Sequence, residues 1–559
     1  MVTTNLGDII GFTDRVNFGN QNFQVRKFLG IPYAEPPVGD LRFEKPVMKT
    51  RFMTPFKAHK YSPKCPQPQL VNETISEDCL YLNIFAPEIS STNAETKPVM
   101  IWIHGGGFIS GYSKTYDGDV ISVLADVIIV TLNYRLGALG FFSTHDSVAK
   151  GNYGLWDQHL AIRWVNENIA DFGGDTTNIT IFGESAGSSS VIYQMLYPGN
   201  KGLFKRAIAE SGTIAAWAVS NGNANYESSI EFAQYVGCGD LSNISACLKS
   251  KTEADMISAT VTLESLKYSE VNKSWAPVFD DEFVLAKTPD ILSELSDPNL
   301  RSKYLHFWDL DLMIGANNYD GVSYLYLLMV LINNTTPASI SYNISVQQFD
   351  NIIVPRAIEA WLGETPAELA SDLTILEYTD LNDPHNTIKR LQNAIDIWSE
   401  YTVNAPMIST ANAHSSAVSS TYVYQFSAAP PKRLIAIPPE LEGPDVACHS
   451  DEMPFLFGFT ESIRKYWNFS ENSIDPKDYH LSLEIITMWT NFAKSGNPNI
   501  PKKLNTLNGE TWPAYDGNGE MYLEIASKQS KIKQRLRAEQ VVLWNYLLPE
   551  MQAFAKQKP

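Results

Sequence analysis

The stretch Ile179-Thr180-Ile181-Phe182-Gly183-Glu184-Ser185-Ala186-Gly187 decides the fold. Its first four residues are β-branched or aromatic and favour an extended strand. Gly-Glu-Ser-Ala-Gly then interrupts that strand, and Val191-Ile192-Tyr193-Gln194-Met195-Leu196 suits a helix. The reading is strand, tight turn, helix, with Ser185 at the apex. A serine on such a turn is strained, and residues without a Cβ on both sides let the chain fold back without collision. The turn exposes the Ser185 hydroxyl at the C-terminal edge of a sheet. It also brings the unpaired N–H groups of the helix N-terminus beside it. A chance serine on a surface turn is the bland alternative, and the flanking strand and helix argue against it.

Working outward, Val99-Met100-Ile101-Trp102-Ile103 is a continuous apolar run, as in a strand buried on both faces. It ends at His104-Gly105-Gly106-Gly107-Phe108. Successive glycines after a buried strand leave backbone N–H groups uncovered, and such donors can bind a developing oxyanion. A phosphate cradle would want Lys-Ser/Thr after the glycines, and Phe108-Ile109 stands there instead. His104 precedes the serine and reads as a structural residue under the loop. Val127 to Thr131 is a further buried strand, and Leu155 to Ile169 carries one apolar helical stripe. Ala207-Ile208-Ala209 is a strand ending in Glu210-Ser211-Gly212. This alternation predicts a large, mostly parallel sheet covered by helices, with ligands bound at the C-terminal strand ends. From about Thr213 to Tyr304 the pattern becomes helical and loop-like, as in an insertion capping the site.

An activated serine needs a base, and the base needs an orienting acid. In the order this turn implies, both follow the serine. Leu310 to Gly315 reads as a strand, and the loop after it offers one carboxylate, Asp320. Asp309 and Asp311 lie before or within that strand. Tyr422 to Phe426 is a late strand, and His449 lies on the loop after it. His385 sits in a polar turn, and His480 has no strand before it.

The chain of 559 residues shows no linker, repeat or low-complexity run, so residues 1–559 read as one α/β domain with long insertions. A net charge of −19 argues against nucleic acid or an anionic membrane as partner. No apolar run is long enough to span a membrane. The N-terminus does not resemble a signal peptide. Of the five cysteines, Cys65 with Cys79 and Cys238 with Cys247 are spaced for local disulfides. Neither pair has metal-ligand spacing, and no metal or cofactor is expected. Glycosylation acceptor sequences occur at Asn72, Asn178, Asn243, Asn272, Asn333, Asn334, Asn343 and Asn468. With the cysteine pairs they favour a secreted protein, its signal removed; a cytosolic protein is the alternative.

Several stretches together resemble the type-B carboxylesterase/cholinesterase family of α/β-hydrolases. They are Gly30 to Gly39, Glu77 to Asn83, His104 to Phe108, Asn133 to Gly137, Phe182 to Gly187, Gly315 to Gly321 and His449 to Gly458. The resemblance continues to Leu536-Arg537-Ala538 and Leu543-Trp544-Asn545. It implies an α/β-hydrolase fold with insertions around an active-site gorge. It further implies Ser185 as nucleophile, Asp320 as acid and His449 as base. The N–H groups of Gly106, Gly107 and Ala186 would form the oxyanion hole, with Glu184, Ser211 and Glu452 at supporting positions. The family mostly has Glu where Asp320 stands, so a shorter side chain requires a closer loop. Cholinesterases carry a choline-binding tryptophan in the first cysteine loop, and the Cys65 to Cys79 loop has no aromatic residue. Val271 and Lys273 stand where the acyl-pocket phenylalanines would, and Ser323 replaces another gorge aromatic. Ala405 and Val541 replace the family's third disulfide, and Cys448 is left unpaired. The expected activity is a carboxylesterase of broad specificity acting on a small-molecule ester. The alternatives are a cholinesterase, or an inactive cholinesterase-like adhesion or binding protein. The amphipathic run Leu536 to Phe554 reads as a helix, packed on a monomer or forming a homodimer.

Overall fold

The structure is a computed structural model. It describes residues 1–68, 73–88, 95–214, 216–218, 222–267, 275–286, 291, 294–295, 297, 301–333, 342–362, 367–416 and 418–556. Val271 and Lys273 lie outside the described residues. In chain order the strands are β1 (Val2–Thr4), β2 (Gly7–Ile10), β3 (Phe12–Phe18), β4 (Gln21–Pro32), β5 (Phe56–Lys57), β6 (Tyr81–Pro87) and β7 (Lys97–Ile103). They continue with β8 (Ile128–Leu132), β9 (Gly174–Glu184), β10 (Arg206–Glu210), β11 (Asp311–Asn317), β12 (Thr421–Ser427), β13 (Met521–Ala526) and β14 (Lys531–Gln534). Eleven of them form one sheet in the order β14-β13-β12-β11-β10-β9-β7-β8-β6-β4-β3. The run from β13 to β8 is parallel throughout, and antiparallel pairs close both edges. This is the large, mostly parallel α/β-hydrolase sheet expected from the sequence.

The apolar runs are explained by burial on both faces. Val99, Ile101 and Ile103 of β7 join one core layer, whereas Met100 and Trp102 join the other. Ala207 and Ala209 of β10 face the first layer and Ile208 the second. A period of two with apolar residues at every position is what a doubly covered sheet requires. Helix Tyr153–Asn168 covers the first face, and helix Pro476–Ser495 packs on the second. A third core gathers helices Val322–Asn333, Val354–Leu362 and Thr387–Ser399 with Leu543, Trp544 and Leu548. The C-terminal run is helical from Ala538 to Lys556, with a wider π-type turn at Leu543–Leu547. No described helix is long and apolar enough to cross a membrane.

Two disulfides, Cys65–Cys79 and Cys238–Cys247, match the pairs expected from spacing, and Cys448 is buried and free. Beside the first, Glu77 is held by Arg42 through Nε to Oε2 at 2.7 Å and Nη2 to Oε1 at 2.6 Å. Arg42 Nη1 donates to the Leu248 carbonyl at 2.7 Å, anchoring the helical insertion to the cysteine loop. A second buried pair lies after β8. Arg135 donates to Asp157 through Nε at 2.8 Å and Nη2 at 2.7 Å, and its backbone N–H adds a third bond at 3.0 Å.

Candidate active site

The sharp turn after β9 is built by close approach. Ser185 has φ +59°, in the left-handed region that costs a non-glycine residue energy. Helix Ala186–Leu196 starts immediately after it. A Cβ on Gly187 would lie 2.0 Å from the Ile103 carbonyl oxygen, and one on Gly183 would lie 2.6 Å from the same atom. The glycines thus let the turn press against the end of β7. Glu184 and Glu210 are register partners on β9 and β10, and the Ser185 N–H donates to the Glu210 carbonyl at 2.8 Å. The strained apex is therefore pinned by the neighbouring strand.

Ser185, His449 and Asp320 meet at this edge. His449 Nε2 is 2.9 Å from Ser185 Oγ, and its Nδ1 is 2.6 Å from Asp320 Oδ1. Asp320 is fully buried, and its Oδ2 accepts from Ser211 Oγ at 2.9 Å and from the Asn317 N–H at 2.7 Å. Ser185 is 7% exposed and the His449 side chain 13%, enough for a small reactant to touch both. The concern that aspartate is one methylene too short is met by the loop itself. The Tyr319 N–H donates to the Ala447 carbonyl at 2.9 Å, and Asn318 Oδ1 accepts the Ala447 N–H at 2.8 Å. Asn317 Nδ2 donates to the Cys448 carbonyl at 2.6 Å. These bonds zip the acid loop onto the histidine loop and bring the short carboxylate within reach.

The glycine loop sits directly over the nucleophile turn. A Cβ on Gly105 would lie 3.0 Å from Ser185 Cβ. Gly106 at φ +107° and Gly107 at φ +64° adopt backbone that favours glycine. Among the described residues, the N–H groups of Gly106, Gly107 and Ala186 donate to no backbone carbonyl outside a regular element. His104 lies beneath this loop, as expected. It is buried, stacks on Tyr134 at 4.5 Å and has Nδ1 2.9 Å from the Gly105 carbonyl. Burial pushes it down to about 4, so it is neutral at pH 7. His414, buried between Thr421 and Leu310, is likewise pushed down to about 4. An unfolded chain takes up these protons near pH 6.5, whereas the folded chain resists until about pH 4. Stability is therefore present above pH 6.5 and lost as pH falls toward 4. By pH 4 the loss is on the order of 3 kcal/mol per buried histidine. Thermal melts of wild type and His414→Gln at pH 7, 5.5 and 4.5 isolate this contribution: the Tm gap between them narrows as pH falls.

Carboxylates crowd the base. Glu184 Oε1 is 3.2 Å from His449 Nε2 and accepts from Ser450 Oγ at 2.6 Å. Glu452 Oε2 accepts from Asn317 Nδ2 at 2.5 Å. Burial by itself lowers the His449 imidazolium, but Glu184 and Asp320 more than reverse this and hold it up at about 9. Burial pushes Glu452 and Glu210 well above the ordinary carboxylate range; Glu184 and Asp320 add to it at Glu452, and Glu452 adds to it at Glu210. Glu184 and Ser211 thus touch His449 and Asp320 directly, and Glu452 reaches the acid loop through Asn317. Sequence reasoning missed Asn317, Ser450 and the buried Glu210 as parts of this site. Glu210 had a signal, an acid at a buried strand end, but the other two depend on loops that meet only in three dimensions. An aromatic series flanks the site: Phe108 to Trp217 at 6.2 Å, Trp217 to Tyr324 at 6.3 Å and Tyr324 to Trp398 at 6.1 Å. Among the described residues no cluster of side chains is arranged to hold a metal ion.

Comparison with known proteins agrees with this architecture. The model of the carboxylesterase family matches residues 1–544. Neuroligin-3 of Mus musculus is 31% identical over 94% of this chain and 66% of its own length. Neuroligin-2 of Mus musculus and of Homo sapiens are each 32% identical over 94% of this chain and 65% of their own lengths. The chain therefore spans just under two thirds of these relatives. An α/β-hydrolase sheet, the ordered motifs and a family match over nearly all residues agree: the chain belongs to the carboxylesterase family.

Proposed function

We propose that this protein is a serine hydrolase cleaving carboxylic esters through an acyl-enzyme. The observation that carries the reading is the continuous relay from Asp320 through His449 to Ser185, at 2.6 and 2.9 Å. His449 takes the Ser185 proton, and Ser185 Oγ attacks the ester carbonyl. The N–H groups of Gly106, Gly107 and Ala186 bind the tetrahedral oxyanion. The imidazolium, oriented by Asp320, returns its proton to the leaving alcohol. Water then releases the acid by the same path. The aromatic series that begins at Phe108 of the glycine loop suits an apolar acyl group, and the lack of an aromatic in the Cys65 to Cys79 loop disfavours choline esters. The test is covalent labelling by a fluorophosphonate, with the adduct mapped to Ser185, alongside hydrolysis of p-nitrophenyl butyrate. Wild-type protein that neither labels nor hydrolyses sinks the proposal.

A second reading has its own support. The neuroligin relatives favour a cholinesterase-like adhesion protein without activity, acting extracellularly through protein partners. On that reading the triad is retained architecture, and the labelling test returns no adduct. The two readings thus part on one measurement.

The pH dependence follows from the base. His449 acts only when deprotonated, and the carboxylates hold its proton to about pH 9. We expect kcat/KM to climb from neutral pH to about 9 instead of levelling near 6.5. Glu184→Gln removes one attracting charge and moves the climb to lower pH.

A further inference from the structure

We propose that the Ser450 hydroxyl is a positioning group that keeps Glu184 ionised beside His449 Nε2, and so sets how readily the base is freed. The inference rests on the esterase reading for its catalytic meaning, though not for its physical content. Its basis is geometric. Glu184 Oε1 has two neighbours: Ser450 Oγ at 2.6 Å and His449 Nε2 at 3.2 Å. His449 Nε2 in turn has two acceptors in reach, Ser185 Oγ at 2.9 Å and Glu184 Oε1. Once the imidazolium forms, Glu184 competes for the proton meant for the leaving alcohol. A hydroxyl donating to that oxygen stabilises its negative charge, and with it the charge that holds the imidazolium.

The backbone at Ser450 supports the assignment. Its φ is +69°, a left-handed conformation that glycine adopts at no steric cost and serine does not. What the side chain does there is reach Glu184. The surroundings of Glu184 leave this bond with particular weight. Its register partner Glu210 is fully buried, with the Trp489 indole facing its carboxyl group. Glu452 Oε1 is also buried. Asp320 acts on Glu184 from the acid loop, and His449 faces it as a cation. Tyr134 and Tyr116 lie near enough to feel its charge. Burial, with Asp320, favours a proton on Glu184, and the Ser450 hydrogen bond opposes this. The sign follows. Without the hydroxyl, Glu184 is more often neutral, its attraction for the imidazolium weakens, and His449 loses its proton at lower pH.

The test uses Ser450→Gly and Ser450→Ala in the full chain. Glycine relieves the left-handed backbone, so this variant folds; alanine keeps the strain and deletes only the hydroxyl. The readout is the His449 imidazole C2–H titration by NMR, which needs no turnover, with kcat/KM against pH for p-nitrophenyl acetate beside it. The expected result in both variants is a midpoint lowered by about one pH unit, the worth of one charge-assisted hydrogen bond. In a Glu184→Gln background the same substitutions move nothing. A midpoint that stays or rises, or that shifts equally in the Glu184→Gln background, overturns the proposal. Wild-type protein that titrates as expected but hydrolyses nothing overturns the esterase reading alone.

Discussion

Ser185→Ala lowers kcat for p-nitrophenyl butyrate by on the order of 10⁶, and adding His449→Ala costs nothing further. The two residues act as a unit, because the hydroxyl is a nucleophile only while Nε2 at 2.9 Å can take its proton. Asp320→Asn separates orientation from nucleophilicity. The amide cannot hold the Nδ1–H tautomer of His449 or stabilise the imidazolium, and kcat falls by about 10⁴. The protein should still fold, since Asn keeps the shape and one oxygen for the Ser211 hydroxyl and the Asn317 N–H. Residual turnover in all three variants comes from the glycine-loop donors and substrate binding. Single-turnover burst measurements in the wild type will show acyl-enzyme accumulation, and a Ser185→Ala variant with undiminished kcat would refute the nucleophile assignment.

Asp157→Ala is the largest expected stability change, a loss of about 3–5 kcal/mol. The carboxylate is fully buried and takes three donations from Arg135 alone. Its removal leaves a guanidinium in the interior with donors unmet, and an unpaired buried charge costs more than a lost contact. The effect reaches the site. Arg135 belongs to the segment whose Gly137 N–H donates to the Phe108 carbonyl at 2.8 Å, just behind the glycine loop. Urea denaturation will report the loss as a lower midpoint. Replacing both partners, Arg135→Met with Asp157→Leu, should recover most of it, because no charge is then stranded.

Much of this was legible in the chain. Ser185 and the glycine loop carry local signatures, because strained turns and uncovered N–H groups demand particular residues in sequence. Asp320 and His449 were legible by position, each on the loop after a strand of the parallel sheet. The short acid was open to question in the sequence because its reach depends on Tyr319 and Asn318 pairing with Ala447, more than a hundred residues away. Ser450 was invisible for a related reason. Nothing in His-Ser-Asp-Glu says that the serine backbone turns left-handed and aims its hydroxyl at a residue of β9. Glu210 reads as an ordinary strand-end acid until its complete burial close to Glu452 is seen.

Ser185 and His449 stand 264 residues apart along the chain, and Asp320 and His449 stand 129 apart. Their contact exists only once β9, β10, β11 and β12 are aligned in register. Closing such long loops costs entropy before any contact repays it, so parallel pairing of this kind comes slowly. A nascent chain that has not yet reached His449 holds its serine with no base at all. On the proposed mechanism, the reactivity of Ser185 is therefore a clock for the last stage of folding. In refolding it should appear later than secondary structure and together with the final pairing of β11 and β12.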